Sequence, residues 1–157
     1  MTDRLARVIL ALRNAPTGSW LPVNLSCIVN HRMNNILPHV AIVEDEFLIA
    51  VDAEYLIRQA LDCRVSLVRP DQFDRWTDAD LSTLDICLLD VPLDATRAIV
   101  SGQRLKRLGR PLLFTTVSEF HRRGIETFDG IPVVMKPYDG AKLLGAVEHV
   151  LPGFRRR

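Results

Sequence analysis

From His39 onward, short apolar runs alternate with longer amphipathic stretches. Residues 40–43 (VAIV), 65–68, 86–89 (ICLL), 112–116 (LLFTT) and 132–135 (PVVM) each predict a strand. Residues 47–61 predict a helix with Leu48, Val51, Tyr55 and, at its margin, Leu56 on the inner face. A second helix is expected over 95–108, ended by Gly109 just past its last turn and by Pro111. Asp139 is placed to cap a last helix whose Leu143, Leu144, Val147 and Val150 form one apolar stripe. The two remaining helices fall in 71–80 and 119–128, where periodicity is weak and Gly124 interrupts the second.

Strands alternating with helices predict a doubly wound α/β fold, a five-stranded parallel sheet with helices on both faces in right-handed crossovers. Wholly apolar strands such as ICLL suit burial on both sides. The order in view is the flavodoxin-like 2-1-3-4-5, with five helices.

Before this domain, Leu5, Val8, Ile9 and Leu12 follow helical spacing, so residues 3–14 predict an amphipathic helix. Residues 15–38 contain prolines and a Gly-Ser pair and read as linker. The chain thus divides into an N-terminal extension, 1–38, a domain, 39–152, and a basic tail, 153–157. The extension is read as a spacer, or as sequence upstream of a start at Met33; its functional reading is a helix that binds a partner.

Composition narrows the function classes. Net charge is +1 on 157 residues, which offers no field for nucleic acid or a membrane surface. The apolar run of residues 8–12, flanked by Arg7 and Arg13, is too short for a signal peptide, and no run approaches a membrane span. Cys27, Cys63 and Cys87 are odd in number and lack metal-ligand spacing, which fits a reduced, cytoplasmic chain. His31, His39, His121 and His149 are scattered, and surface or packing roles are expected for them, as packing is for Trp20 and Trp76.

Ligands of open parallel sheets bind beyond the carboxyl ends of the strands, so the residues just after each strand carry the chemistry. Glu44 and Asp45 follow the first strand, Asp90 the third, and Lys136 with Pro137 the fifth, while Thr115 and Thr116 end the fourth. Two carboxylates about 4 Å apart repel by roughly 4 kcal/mol at an effective dielectric near 20, so such a cluster needs a cation. Hard oxygen donors point to Mg²⁺. An aspartate beside Mg²⁺ can act as a nucleophile toward a phosphoryl group, with an ammonium and a hydroxyl on its other oxygens. That makes Asp90 the candidate nucleophile, Glu44 and Asp45 the metal-holding pair, and Lys136 the counter-charge.

VEDE (43–46), LLDVPL (88–93), FTT (114–116) and MKPY (135–138) together resemble, in order, the signature of a bacterial response-regulator receiver domain. The resemblance covers about residues 40–151. It implies the 2-1-3-4-5 sheet and transfer of a phosphoryl group, with Mg²⁺, from a sensor histidine kinase or phosphotransfer protein to Asp90. Asp45 would then touch the metal directly, Glu44 through water, and the main-chain carbonyl of Pro92 would be a further ligand. Thr116 would follow the phosphoryl group, Lys136 would pair with it, and the peptide before Pro137 would be cis. Output would run through contact with a downstream protein, without nucleic acid or membrane; a homodimer is a further option. Beyond self-phosphorylation at Asp90 and slow autodephosphorylation, no enzyme activity is expected. Because few residues follow the last helix, a stand-alone receiver is expected.

Three positions depart from the pattern. Val117 stands where Ala or Gly is usual at the entrance to the acceptor, and Val133 where an aromatic switch residue is common. The turn Phe114-Thr115-Thr116-Val117-Ser118 resembles that of a Phe-x-Thr-Gly-aromatic receiver subgroup but lacks its glycine and following aromatic. The competing reading is therefore a degenerate receiver that binds proteins without phosphorylation. A phosphatase-like hydrolase is disfavoured by Pro92, where such enzymes carry a second acid. Singly, Glu44 to Glu46 could be an acidic helix start, with Glu46 best suited to that role; Asp90 could be a loop residue and Lys136 a turn lysine.

Overall fold

The computed structural model describes residues 37–151. The expectations for residues 3–14, the linker, Met33, Trp20, Cys27, His31 and the basic tail lie outside these residues. Five strands, β1 (His39–Val43), β2 (Arg64–Val68), β3 (Ile86–Asp90), β4 (Leu112–Thr116) and β5 (Val133–Met135), form one sheet in the order β2-β1-β3-β4-β5, every pairing parallel. Five α-helices accompany them: α1 (Phe47–Ala60), α2 (Pro70–Phe73), α3 (Asp78–Ser82), α4 (Thr96–Arg107) and α5 (Gly140–Val150).

Alternation along the strands divides the core in two. Val40, Ile42, Ile86, Leu88, Leu113 and Val134 meet α1 and α5 on one face. Ala41, Val43, Cys87, Leu89, Leu112 and Phe114 meet α3 and α4 on the other, with Phe73 of α2. Both faces of the central strand β3 are covered, which is why it carries no charged residue before its last position, Asp90.

The inner face of α1 differs from the expectation. Ala50, Ala53, Ile57 and Ala60 are buried, whereas Leu48, Val51 and Tyr55 are exposed. Three alanines let the helix backbone approach the sheet closely, and this small-residue face is less conspicuous in a hydropathy pattern than the larger residues opposite. Leu56 packs at the edge of the core.

The helix expected in 71–80 is two short pieces, α2 and α3. Thr77 starts the second, accepting a hydrogen bond from Asp80 N while the Asp80 carboxylate accepts from Thr77 N. The helix expected over 119–128 does not form: only a 3₁₀ turn, His121–Arg123, is present. Gly124, Thr127 and Gly130 all adopt positive φ, which no α-helix tolerates in succession. The loop that follows the turn still buries Ile125 and Phe128, whose spacing looks helical in the sequence. The Phe128 ring packs edge-on to Phe114, with centroids 5.0 Å apart, and a Cβ on Gly102 of α4 would come within 2.9 Å of it. Gly109 takes φ +65 after α4, and Asp139 caps α5 by accepting from Lys142 N, both as expected. Trp76 packs beside Phe73 on the α4 side.

Candidate functional site

Sheet register positions the site. Val43 aligns with Leu89, so Glu44 stands level with Asp90; Asp90 aligns with Thr115, and Thr115 with Val134. Aligned residues of parallel strands point to the same face, here the α1–α5 face. Lys136 lies two residues beyond Val134 and returns to that face. Thr116 lies one residue beyond Thr115 and points to the other. The chain therefore brings two acids and a lysine together, with Thr115 on the same face, and turns the Thr116 hydroxyl away.

Lys136 Nζ donates to Glu44 Oε2 and to Asp90 Oδ1, each at 2.7 Å. Glu44 is buried, and its other oxygen, Oε1, accepts from Asp45 N at 3.0 Å and Glu46 N at 3.1 Å. Glu44 thus anchors the lysine and also holds the turn into α1. Glu46 is the N-cap residue of α1 by its backbone, without a side-chain cap.

Asp45 sits differently. Its carboxylate is exposed and lies 3.6 Å from the Arg69 guanidinium. Arg69 directly follows β2, the one strand end that the sequence reading passed over. Pro92 is exposed in the loop after β3. Thr116 is wholly buried; its hydroxyl donates to the Val91 carbonyl at 2.6 Å and accepts from Ser118 N at 3.0 Å. Val117 is exposed at the rim. The Lys136–Pro137 peptide is cis.

Burial pushes the Asp90 carboxyl above its usual range and the Glu44 charge adds to this, against the hydrogen bond from Lys136. For Lys136, burial pulls the ammonium down, but its hydrogen bonds to Asp90 and Glu44 outweigh it and hold the group above its ordinary value. Tyr138, two residues past the lysine, has a buried hydroxyl that makes no close hydrogen bond; burial pushes its phenol up to about 12, opposed by a longer-range interaction with Thr115.

The donor set of Glu44, Asp45, Asp90 and the Pro92 carbonyl is all oxygen, the chemistry that suits a hard divalent cation. Among the described residues, however, no three Asp, Glu, His or Cys side chains converge closely enough to hold one as arranged. Asp45 is turned toward Arg69, and Lys136 already pairs with both of the other two acids. Among the described residues no helix is long and apolar enough to cross a membrane.

No family model matches the chain, and no curated protein matches it. Solved structures do. The response regulatory domain of protein mrkE from Klebsiella pneumoniae shares 19% identity at a TM-score of 0.59, covering 71% of this chain and 93% of that one. The REC domain of the Erythrobacter litoralis PhyR response regulator shares 21% at 0.58, covering 74% and 92%. The Vibrio cholerae chemotaxis protein CheY4 shares 18% at 0.53, covering 73% and 99%. These identities speak to fold alone, and they agree with the strand order: the described chain has the receiver fold of response regulators.

Proposed function

We propose that this domain is a response-regulator receiver: it accepts a phosphoryl group on Asp90 from the phosphohistidine of a sensor kinase or phosphotransfer protein, and signals by contact with a downstream protein. The observation that carries the reading is the buried Lys136 ammonium, 2.7 Å from both Glu44 and Asp90 at the carboxyl ends of three parallel strands. In the transfer, an Asp90 oxygen forms the new bond to phosphorus as the bond to the donor histidine nitrogen breaks. Lys136 loses one carboxylate partner and gains a phosphoryl oxygen, so it stays paired throughout. Thr116 exchanges its bond to the Val91 carbonyl for one to the phosphoryl group.

A divalent cation, Mg²⁺ by the donor chemistry, would be held by Asp45, Asp90 and the Pro92 carbonyl, with Glu44 reaching it through water. When bound, it would neutralise the charge that gathers on the phosphoryl oxygens. The Asp45–Arg69 pair is solvent-exposed on both sides and weak, so it is no barrier to Asp45 taking such a role.

The test is intact mass after incubation with Mg²⁺ and a small phosphodonor. The native chain is expected to gain one phosphoryl group and an Asp90→Asn variant none. No gain from that donor or from a panel of kinases, while an established receiver is modified in parallel, overturns the proposal.

A second reading, a degenerate receiver that binds its partner without phosphorylation, draws on the engaged Thr116 hydroxyl and the outward Asp45. On that reading Asp90→Asn leaves partner binding unchanged.

A further inference from the structure

The loop after β3 and the turn after β4 are joined by a closed circuit of hydrogen bonds. Thr116 Oγ1 donates to the Val91 carbonyl at 2.6 Å and accepts from Ser118 N at 3.0 Å. The Ser118 carbonyl accepts from His121 N at 3.1 Å. The His121 ring then returns to the first loop, where its Nε2 lies 3.3 Å from the Leu93 carbonyl. A carbonyl can only accept, so Nε2 carries the proton and donates.

His121 is built for this contact rather than for packing alone. Its ring is delivered by a turn whose backbone is itself bonded, since Gly124 N donates to the His121 carbonyl at 3.1 Å. Apolar anchoring of the same segment is already supplied by Ile125 and Phe128, both buried. His121 is 6% exposed, whereas its neighbour Phe120 is 83% exposed. The buried ring of this pair is therefore the one with a donor, and that donor meets a carbonyl.

The two carbonyls held from the β4 side belong to Val91 and Leu93, on either side of Pro92, which has no N–H of its own. Val91 N also donates to the Thr115 carbonyl at 2.8 Å. These bonds fix the stretch that leads out of Asp90 toward α4. The two side-chain ties differ in fate. In the transfer proposed above, Thr116 releases Val91 to meet the phosphoryl group, whereas His121 takes no part in that exchange. We propose that His121 is a positioning residue: it keeps the loop after β3 attached to the β4 turn while Thr116 lets go, so that the Asp90 backbone does not move with the hydroxyl. The release rests on the phosphoacceptor reading; the bond from His121 to Leu93 does not.

The test uses amide spectra and hydrogen exchange of the full-length labelled chain without phosphodonor, where Thr116→Val imitates the release. Thr116→Val alone is expected to leave the signals of residues 93–95 sharp and Val91 exchange within about twofold of native. Adding His121→Ala is expected to broaden or shift those signals. It should also speed Val91 exchange by about fivefold beyond the product of the single effects, the size of one hydrogen bond. His121→Phe keeps a buried ring without the donor and should act as His121→Ala does, so a poorly folded Ala variant leaves the comparison intact. His121→Gln, whose amide can still donate to Leu93, is expected to restore the spectrum of Thr116→Val. A loop freed by Thr116→Val alone, single effects that simply multiply, or a Gln variant as loose as the Phe variant overturns the proposal. A chain that takes no phosphoryl group on Asp90 overturns the phosphoacceptor reading instead, and the spectra judge the tie without it.

Discussion

Lys136 and Glu44 form an ion pair at 2.7 Å with 4% and 2% of their side chains exposed. Asp90 shares the same ammonium at the same distance. Two buried carboxylates on one lysine leave a net negative charge that the surrounding apolar strands cannot solvate. The lysine is what makes the strand ends tolerable, and one carboxylate charge remains unmatched.

Replacing the lysine tests the first half of that statement. Lys136→Met keeps the bulk but leaves Glu44 and Asp90 without their cation. Breaking a buried pair on one side typically costs about 3–5 kcal/mol, so a marked fall in the urea midpoint at neutral pH is expected. The loss should shrink as pH falls, because protonating either acid removes the uncompensated charge. A variant with native stability at pH 7 would contradict the buried-pair account.

Removing one acid should act in the opposite direction. Burial, then the Glu44 charge, raises the pKa of Asp90 in the folded state. A carboxyl with a raised folded-state pKa favours folding at low pH and opposes it once pH exceeds that value. Asp90→Asn removes the charge while its amide oxygen can still accept from Lys136. The variant is expected to unfold at higher urea concentration than the native chain at pH 7, with the difference narrowing as pH falls toward the ordinary value of 3.8. An unchanged midpoint would mean that Lys136 compensates Asp90 fully.

Much of this arrangement was legible in the sequence, for identifiable reasons. Strands buried on both faces read as apolar runs, and the residue after each run stands at the sheet's carboxyl edge by construction. What escaped reading depends on depth rather than order. That Glu44 would turn inward and Asp45 outward follows from pleat and register, because Glu44 continues the Ile42 face and shares its burial. Arg69 lies after β2, a strand end with no acid to mark it as part of the site. The buried face of α1 departs from its hydropathy pattern because bulk is not burial: Ala50, Ala53 and Ala60 are the residues that let the helix close on the sheet. The missing helix after β4 was hidden by the helix-like spacing of Ile125 and Phe128. Only the conformations of Gly124, Thr127 and Gly130 reveal the loop.

Tyr138 offers a test of a group that burial leaves unsatisfied. Its hydroxyl is shielded from solvent and makes no close hydrogen bond, with Thr115 the side chain that acts on it at longer range, while its ring packs on the α1–α5 side of the core. An unpaired buried hydroxyl destabilises by about 1–3 kcal/mol relative to an apolar group of the same shape. Tyr138→Phe is therefore expected to match or exceed native thermal stability. A clear fall in melting temperature would show that the hydroxyl has a partner, such as an ordered water.

At the opposite edge of the sheet, His39 should give the fold a pH limit. Its ring is buried, with Nε2 2.9 Å from Ser66 Oγ and Nδ1 2.7 Å from an Arg64 nitrogen and 3.2 Å from Thr83 Oγ1. Arg64 can only donate, so at the shorter of these Nδ1 contacts the ring nitrogen accepts, which makes the ring neutral with its proton on Nε2. Burial, then the Arg64 charge, lowers the His39 pKa below 6.5; the Thr83 hydrogen bond and the Asp85 charge oppose this without reversing it. Asp85 also accepts from the His39 backbone N–H at 2.8 Å. The unfolded chain, with its ring near 6.5, takes up a proton before the folded one does. The stability associated with a neutral His39 is thus complete above pH 6.5 and is lost as pH falls from there through the lowered folded-state value. His39→Gln cannot titrate, so the native chain should lose more stability than the variant between pH 7.5 and pH 5.5, measured by urea denaturation at each pH. Parallel curves for the two proteins would show that the ring is not held neutral by Arg64.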